Sequence, residues 1–390
     1  MFRGEAWGKV RSAAGTWWKT LLAPLGLIVA VFAAQEIAGL FPQLVERYYS
    51  QAVFPSVAGA LSFSRFVSFS LGEALLVLVI VALAVWLALL VRKMLTQRER
   101  AGATLVASLS GLLWTLGALL ALYMVVFGFN YQRQPLSQTL GFERRDPTVA
   151  EIVAISRDVL DNINRSYAES GANANAPGGS RLPISMNELY AILESAYENE
   201  PLLSGASGAR VQPKPVYFSG VMSRLGVSGV YSPFTGEANY NALQPDCDLP
   251  FAVAHEMAHQ RGYAREDEAN FIAFLVCTKS SNAYVRYSGY LNALRVLGIL
   301  VRVAPESVRE VVATLGEGPR ADLKARAQFR AHYSGRLAQF GQSVNNVYLR
   351  VNGVRAGIRN YNEASALIVG YYLKQRATAG PGGGLNGART

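Results

Sequence analysis

The sequence predicts a membrane protein with three N-terminal transmembrane helices followed by a mainly α-helical (α+β) domain outside the cytoplasm. Three observations lead to this fold class. Hydrophobic residues make up 51% of the 390 residues and charged residues only 16%, whereas charged residues are roughly 25% of an ordinary soluble domain. The first third of the chain contains three long apolar runs. Basic residues flank these runs asymmetrically.

Each apolar run is long enough for a membrane-spanning helix, which needs about 20 predominantly apolar residues. The predicted spans are 20–40, 71–91 and 106–128. Trp17 and Trp18 precede the first span and suit the headgroup region of a bilayer. The basic leader before this span also resembles a signal peptide, but the run is longer than a typical signal core and lacks a clear cleavage site. We therefore expect a retained anchor.

The basic residues predict the orientation of the spans. Four precede the first span and four lie in the connector after the second: Arg3, Lys9, Arg11 and Lys19, then Arg92, Lys93, Arg98 and Arg100. The loop 41–70 carries only Arg47 and Arg65. Because cytoplasmic loops carry the excess of Lys and Arg, the N-terminus is expected in the cytoplasm. Three crossings then place the rest of the chain outside, in a multi-pass protein of the inner or plasma membrane.

The domain organisation follows from the spans. We expect a membrane anchor at 1–130, an extracytoplasmic domain at 131–378 and a glycine-rich, disordered tail at 379–390. The formal charge of +10 is spread along the chain without a dense basic stripe, so nucleic acid is not an expected partner. The expected partners are the lipid bilayer and a substrate, and the sequence leaves the oligomeric state open.

Within the second domain, the pattern changes along the chain. Helices are expected at 147–170 and 185–200. Short runs of β-branched and aromatic residues between glycines predict strands or extended loops at 211–240. The apolar segment 290–303 contains two arginines and is too short to span a membrane, so it is expected to be an amphipathic helix on the domain core.

The chemistry is concentrated in the segment His255-Glu256-Met-Ala-His259. Two histidines four residues apart project from one face of a helix and can share a metal ion. Glu256 is placed to accept a proton from a water molecule at that metal. Two of the three histidines in the chain fall in this pattern, which makes coincidence a weak explanation. We expect Zn²⁺ as the cofactor and Glu256 as the catalytic base.

A catalytic zinc site usually has a third protein ligand. Gly262 is expected to end the first helix, and a second helix is expected to begin near Arg265. Glu266 and Asn270 share one face of that helix, whereas Glu268 lies about 200° away. We therefore expect Glu266 as the third ligand and Asn270 as a hydrogen-bond partner of a ligand. Glu268 and His332 remain the alternatives.

These residues carry a family resemblance. The His255–His259 pattern resembles the signature of zincin metallopeptidases, and Glu-Asp-Glu-Ala-Asn at 266–270 resembles the gluzincin element whose first glutamate binds zinc. The short interval between His259 and Glu266 is instead similar to the metzincin arrangement, so the clan stays open. The chain as a whole resembles a bacterial membrane zincin family catalogued only as a domain of unknown function. This resemblance is carried by the three spans and by the segments PFTGEANYN, LPFAVAHEMAHQRGYAREDEANFIAF and VNNVYLRVNG. The resemblance implies a zincin-like fold and a zinc hydrolase.

Other features have roles that the sequence leaves open. Residues 226–241 lie where zincins place the edge strand of the substrate cleft, which can bind an extended peptide by strand addition. Glu237 in this segment is either a cleft residue or a salt-bridge partner. Tyr348 and Tyr361 are candidates to donate a hydrogen bond to an oxyanion. Two further residues, Cys247 and Cys277, flank the motif and either form a disulfide or remain free.

The sequence therefore predicts a membrane-anchored zinc metallopeptidase that hydrolyses peptide bonds with a metal-activated water and Glu256 as general base. Its active site is expected outside the membrane, because the motif lies more than about 120 residues beyond the last span. One alternative is a non-catalytic scaffold or sensor with a structural zinc. Another is a zinc hydrolase that acts on cell-wall amides.

Overall fold

The computed structural model describes residues 4–142, 145–173, 176, 178–203, 211–352, 354 and 360–379; within these ranges, side chains are described for 19–354 and 364–378. The chain is mostly helical and contains one small sheet. Residues 380–390, most of the predicted disordered tail, lie outside the described residues.

The first third of the chain forms three long apolar helices. The helices up to residue 126 are α1 (Gly4–Gly39), α2 (Pro42–Leu44), α3 (Phe54–Leu61), α4 (Leu71–Thr96) and α5 (Ala101–Val126). The segments long and apolar enough to cross a membrane are Lys19–Gly39, Leu71–Thr96 and Arg98–Val126. This confirms three apolar helices at the predicted positions, with the second extending five residues further than expected. None of the most apolar part of α4 is buried inside the protein, as a lipid-facing helix requires.

Helices α1 and α5 pack closely against each other. Gly117 makes this possible, because a Cβ at that position would lie 2.9 Å from a methyl carbon of Leu27. Between α1 and α4, the chain forms a π-helical segment, Val45–Val53, and then α3. These elements lie against the chain that leaves α5: the Ser50 hydroxyl donates to the Asn130 side chain at 2.9 Å.

The remaining helices follow the third apolar helix, and most of them surround the main hydrophobic core. They are α6 (Leu136–Thr139), α7 (Val149–Glu169), α8 (Met186–Glu198), α9 (Ser219–Leu225), α10 (Leu249–Gln260), α11 (Glu266–Thr278), α12 (Ala283–Ala293), α13 (Leu297–Val303), α14 (Pro305–Ala313), α15 (Glu317–Tyr333), α16 (Arg336–Val351) and α17 (Asn360–Ala379). Helices α7 and α8 are present where 147–170 and 185–200 predicted them, and each begins with a capping box. The core is centred on α11, whose residues Glu266–Cys277 are all buried.

The predicted helix at 290–303 is interrupted. Helix α12 ends at Ala293, a 3-10 turn covers Leu294–Val296, and α13 follows. The Arg295 side chain donates to the backbone carbonyl of Asn292 at 3.0 Å, which takes up an acceptor in the turn where the helix tightens.

The sheet has three short strands in the order β1–β3–β2. The strands are β1 (Lys214–Pro215), β2 (Gly229–Ser232) and β3 (Glu237–Tyr240). Strand β3 is parallel to β1 and antiparallel to β2, with Tyr231 opposite Ala238. The predicted extended region at 211–240 therefore contains three strands, but α9 lies between β1 and β2. After Val216 pairs with Tyr240, the Ser219 hydroxyl bonds back to the Val216 carbonyl and turns the chain into α9.

Glu237 joins the sheet to a membrane helix. Its carboxylate accepts hydrogen bonds from the backbone N–H groups of Leu71 and Gly72 (3.2 and 2.7 Å), which are free donors at the start of α4. It also pairs with Lys214 at 2.5 Å, and Glu237 is fully buried. The sequence left two roles open for Glu237, a cleft residue or a salt-bridge partner, and the structure confirms the salt bridge. The negative charge of Glu237 also stabilises the start of α4.

Candidate metal centre

Helix α10 presents the two histidines. It is buried almost throughout, with small and apolar residues preceding His255, and it packs between the sheet and α11. His255 and His259 follow each other by four residues and so lie on one face. Their ring centroids are 4.7 Å apart and their Nε2 atoms 3.1 Å apart. Both side chains therefore point to the same place.

A tight turn then brings α11 back to the histidines. Gly262 has a φ of +80°, as its predicted role at the end of the first helix requires. The Tyr263 N–H returns to the Ala258 carbonyl at 3.2 Å. Helix α11 begins at Glu266, with Arg265 as its N-cap, where the second helix was predicted. Ala269 is fully buried, and its small side chain allows the two helices to approach closely.

Glu266 is the acidic residue that this turn brings to the histidines. Its carboxylate oxygens lie 3.2 Å from the Nε2 of His255 and 3.8 Å from that of His259. The three side chains form a group whose ligand atoms all lie within 4.8 Å of one another. Tetrahedral zinc with bonds of about 2.0–2.2 Å separates its ligand atoms by about 3.3–3.6 Å. The donor types and their spacing therefore fit a zinc ion.

The alternative ligands lie elsewhere. Glu268 is buried on the other side of α11 and accepts a hydrogen bond from the Leu136 N–H at 2.7 Å. Burial, with the charge of Asp267, raises the pKa of Glu268 to about 7. His332 is exposed near the end of α15, where its ring contacts that of Tyr333 at 4.7 Å. Neither side chain is part of the three-residue group.

Asn270 contacts the main chain of the third residue. Its side-chain amide donates to the backbone carbonyl of Glu266 at 2.6 Å. Asn270 lies one turn further along the same helix and reaches back to this carbonyl, so it is a hydrogen-bond partner of Glu266 through the main chain.

The hydrogen bond of His259 prepares its other nitrogen for a metal. Nδ1 lies 2.7 Å from the backbone carbonyl of Tyr263, to which a protonated Nδ1 donates a hydrogen bond. Nε2 then carries no proton, and its lone pair faces His255 and Glu266. Burial lowers the pKa of His259 to about 4, which favours this neutral form. Burial also acts to lower the pKa of His255, but the hydrogen bond and charge of Glu266 outweigh it and raise that pKa.

Glu256 points from α10 to the small sheet. Its carboxylate accepts a hydrogen bond from the backbone N–H of Tyr231 in the outer strand β2. Glu256 is 4% exposed, and its Oε2 has no hydrogen-bond partner among the residues that the structure describes. Burial raises the pKa of Glu256 to about 8, although the charge of His255 opposes the shift. Buried carboxylate oxygens without a partner are uncommon in folded proteins, and a catalytic role is one of the reasons for which they occur.

A cluster of tyrosines lines the site beside Glu266. The Tyr348 hydroxyl lies 2.9 Å from that of Tyr123 and accepts a hydrogen bond from that of Tyr131 at 3.3 Å. Burial raises the pKa values of Tyr131 and Tyr348, and the charge of Glu266 contributes to both shifts. Tyr348, one of the two predicted oxyanion donors, therefore lies within electrostatic reach of Glu266, whereas the side chain of Tyr361 lies outside the described residues.

Sequence reasoning missed Tyr231 as a site residue. Its ring lies 6.5 Å from that of His259. Its hydroxyl is buried and has no hydrogen-bond partner in the part of the chain that the structure describes. The sequence marked the segment that contains Tyr231 as an edge strand, but no local pattern distinguishes this residue among the 19 tyrosines of the chain.

Helix α10, which carries the two histidines, lies directly against the end of the apolar helix α5. Phe127, the first residue after α5, packs edge-on to His259 with ring centroids 6.5 Å apart. Arg133 donates to the Gly262 carbonyl at 2.9 Å and pairs with Glu46 of the π-helical segment at 2.7 Å. The site is distant from the spans in sequence and adjacent to one of them in space.

The two cysteines are both buried and free. The Cys277 thiol donates to the Pro250 carbonyl at 3.7 Å, so it contributes to the packing of α11 against the start of α10. The structure thus has no disulfide between Cys247 and Cys277.

The chain is thus a mostly helical protein with three N-terminal helices apolar enough to cross a membrane and a largely buried His–His–Glu group that could hold a metal ion. The family described as "Protein of unknown function (DUF3810)" matches residues 49–369, and the chain belongs to this family. The match includes α4, α5 and the whole candidate site. No curated protein and no solved structure matches the chain.

Proposed function

We propose that the protein is a membrane-anchored zinc metallopeptidase with a zincin-like catalytic domain. The observation that carries this proposal is the position of Glu256. It lies next to a three-residue group that fits zinc, and its buried Oε2 has no partner among the described residues. A purely structural zinc has no need of a carboxylate held in this way.

His255, His259 and Glu266 would hold the metal. When bound, a zinc ion supplies a Lewis acid that polarises a scissile carbonyl and lowers the pKa of water toward 7. Glu256 accepts a proton from the attacking water and later donates it to the leaving amine. Burial raises the pKa of Glu256 to about 8, and a cation bound beside it would lower that pKa toward the range in which the carboxylate accepts a proton at neutral pH.

The tyrosines supply the remaining chemistry. A hydroxyl aimed at the developing negative charge stabilises it in the transition state. Tyr348 and Tyr231 are the two candidates, since both lie beside the metal group, one on α16 and one on the edge strand. The outer edge of β2 borders the same space and can align an extended peptide.

The compartment of the site is also part of the proposal. The basic residues place the N-terminus in the cytoplasm, and three crossings place the catalytic domain outside it. The loop between α1 and α4 packs on the chain after α5, as the Ser50–Asn130 bond shows. This contact supports three crossings, which would put both segments on the same side of the membrane.

The test compares wild-type cells with cells that carry Glu256→Gln. Membrane and secreted proteins are quantified in both, and the zinc content of each purified protein is measured. A peptidase predicts uncut substrates in the variant at unchanged zinc content, with turnover lower by about 10²–10⁴-fold. A scaffold or sensor predicts identical protein profiles. Changed cell-wall fragments with an unchanged protein profile would favour a cell-wall amide as substrate.

A further inference from the structure

Helix α16 exposes an apolar stripe that the candidate site does not use. Five residues form it, at intervals of three or four: Leu337, Phe340, Val344, Val347 and Val351. Each is between 45% and 62% exposed. This spacing places all five on one helix face. A continuous apolar face of this kind requires a partner.

The C-terminal end of α16 is fixed at the depth of a membrane helix. The Gln35 side chain donates to the Val351 carbonyl at 2.9 Å, and Gln35 is 3% exposed. Gln35 lies inside the apolar segment Lys19–Gly39, four residues before its end, or about 6 Å along the helix axis. Tyr348 adds a second attachment through its hydroxyl contact with Tyr123 of α5, at 2.9 Å.

The N-terminal half of α16 rests on α9, which is attached to α4, the second of the three long apolar helices. Gly341 lies directly against the backbone of Leu225 in α9. The chain just before α9 is held by Glu73, in the first turn of α4, which accepts hydrogen bonds from the N–H groups of Tyr217 and Phe218 (2.8 and 2.7 Å). Helix α16 thus extends from the ends of α1 and α5 to the structure on top of α4.

The other faces of α16 complete an amphipathic pattern. Its inward face contains Leu349, which is fully buried. A third face, about 100° around the axis from the apolar stripe, carries exposed polar and basic residues: Arg336, Gln339, Ser343 and Arg350. A helix with an apolar face beside a basic polar face is typical of the membrane interface.

We propose that α16 is an interfacial membrane helix whose apolar stripe is inserted among the lipid chains. The occupant is the bilayer itself, because α16 is tied to helices whose own exposed faces are apolar, and Val351 lies at the depth of Gln35. The arginines of the polar face then reach the headgroups. This inference does not depend on the metal or on catalysis.

The experiment places nitroxide labels on the full-length protein in lipid nanodiscs. The labelled variants are Val344→Cys and Val347→Cys on the stripe, and the matched control is Ser343→Cys on the polar face. The native thiols of Cys247 and Cys277 are 1% and 0% exposed, so the folded protein adds little background. Power saturation compares relaxation by oxygen, which concentrates in lipid, with relaxation by a water-soluble nickel complex.

Labels on the stripe are expected to respond to oxygen and to be protected from nickel, whereas the label at position 343 is expected to respond to nickel. Equal nickel accessibility at all three positions would overturn the proposal, because the stripe would then face water. Protection of the stripe from both reagents would also overturn it, since a polypeptide or a second copy of the chain would then cover it.

Discussion

Gly229 lies directly against the carboxylate of Glu256. A Cβ at position 229 would come within 2.5 Å of Oε1 and 2.6 Å of Cγ of that side chain. The absence of a side chain at this point of the edge strand allows Glu256 to approach β2 and to accept the Tyr231 hydrogen bond. The position of Glu256 therefore depends on a glycine that belongs to another element.

The first prediction follows from this contact. Gly229→Ala should displace Glu256 while leaving His255, His259 and Glu266 in place. A misplacement of about 1 Å is enough to lower turnover by about 10²-fold, so activity should fall at unchanged zinc content. Gly220→Ala is the control, since its Cβ would meet only Leu243 at 3.9 Å. Equal activity in both variants would show that Glu256 tolerates the shift.

The second prediction separates the two glutamates of α11. Glu266→Gln should weaken zinc binding by more than the ~10–100-fold that loss of a supporting partner costs, because a neutral amide is a poorer ligand than a carboxylate. His255→Ala and His259→Ala should lose the metal. Glu268→Gln, whose side chain bonds to Leu136, should retain it. Zinc per protein after dialysis is the measurement, and loss of zinc only in Glu268→Gln would contradict the assignment.

The third prediction concerns stability. Glu237→Ala would leave the buried Lys214 without its partner and the first N–H groups of α4 without an acceptor. Breaking a buried pair in this way costs about 3–5 kcal/mol, so the thermal midpoint in detergent should fall markedly. Glu310→Ala is a fitting control, because its ion pair with Arg157 is exposed on both sides and is worth about 0–1 kcal/mol. Similar midpoints in the two variants would argue against the role of Glu237.

The fourth prediction concerns topology. A reporter that is active only outside the cytoplasm should be active when fused after residue 140 and silent when fused near residue 96. The basic residues Arg92, Lys93, Arg98 and Arg100 keep the second position inside. The opposite pattern would reverse the proposed orientation and place the candidate site in the cytoplasm.

Local sequence patterns were sufficient to predict that His255, His259 and Glu266 come together. The four-residue spacing of His255 and His259, the helix end at Gly262 and the face shared by Glu266 and Asn270 each depend on residues close in sequence. Together they predicted that Glu266, and not Glu268, approaches the histidines, and the distances agree.

The sequence could not predict the surroundings of this group. Phe127 and Gly229 reach it through packing between segments that are more than 25 residues from the motif, and helical periodicity carries no information about such contacts. The motif is distant from the last predicted span along the chain, yet Phe127 contacts His259. For the same reason, α9 replaced part of an expected strand: the Ser219–Val216 bond depends on where β1 ends.

Arg133 connects the turn after α10 to the segment between α1 and α4. Arg133 pairs with Glu46, which precedes α4, and holds the Gly262 carbonyl in the turn between the histidines and Glu266. Phe54 packs against this same turn. A cut near residue 130 would thus separate this turn from Glu46 and Phe54, two groups that shape it. A fragment that begins after such a cut is therefore expected to lose the geometry of the His255–His259–Glu266 group.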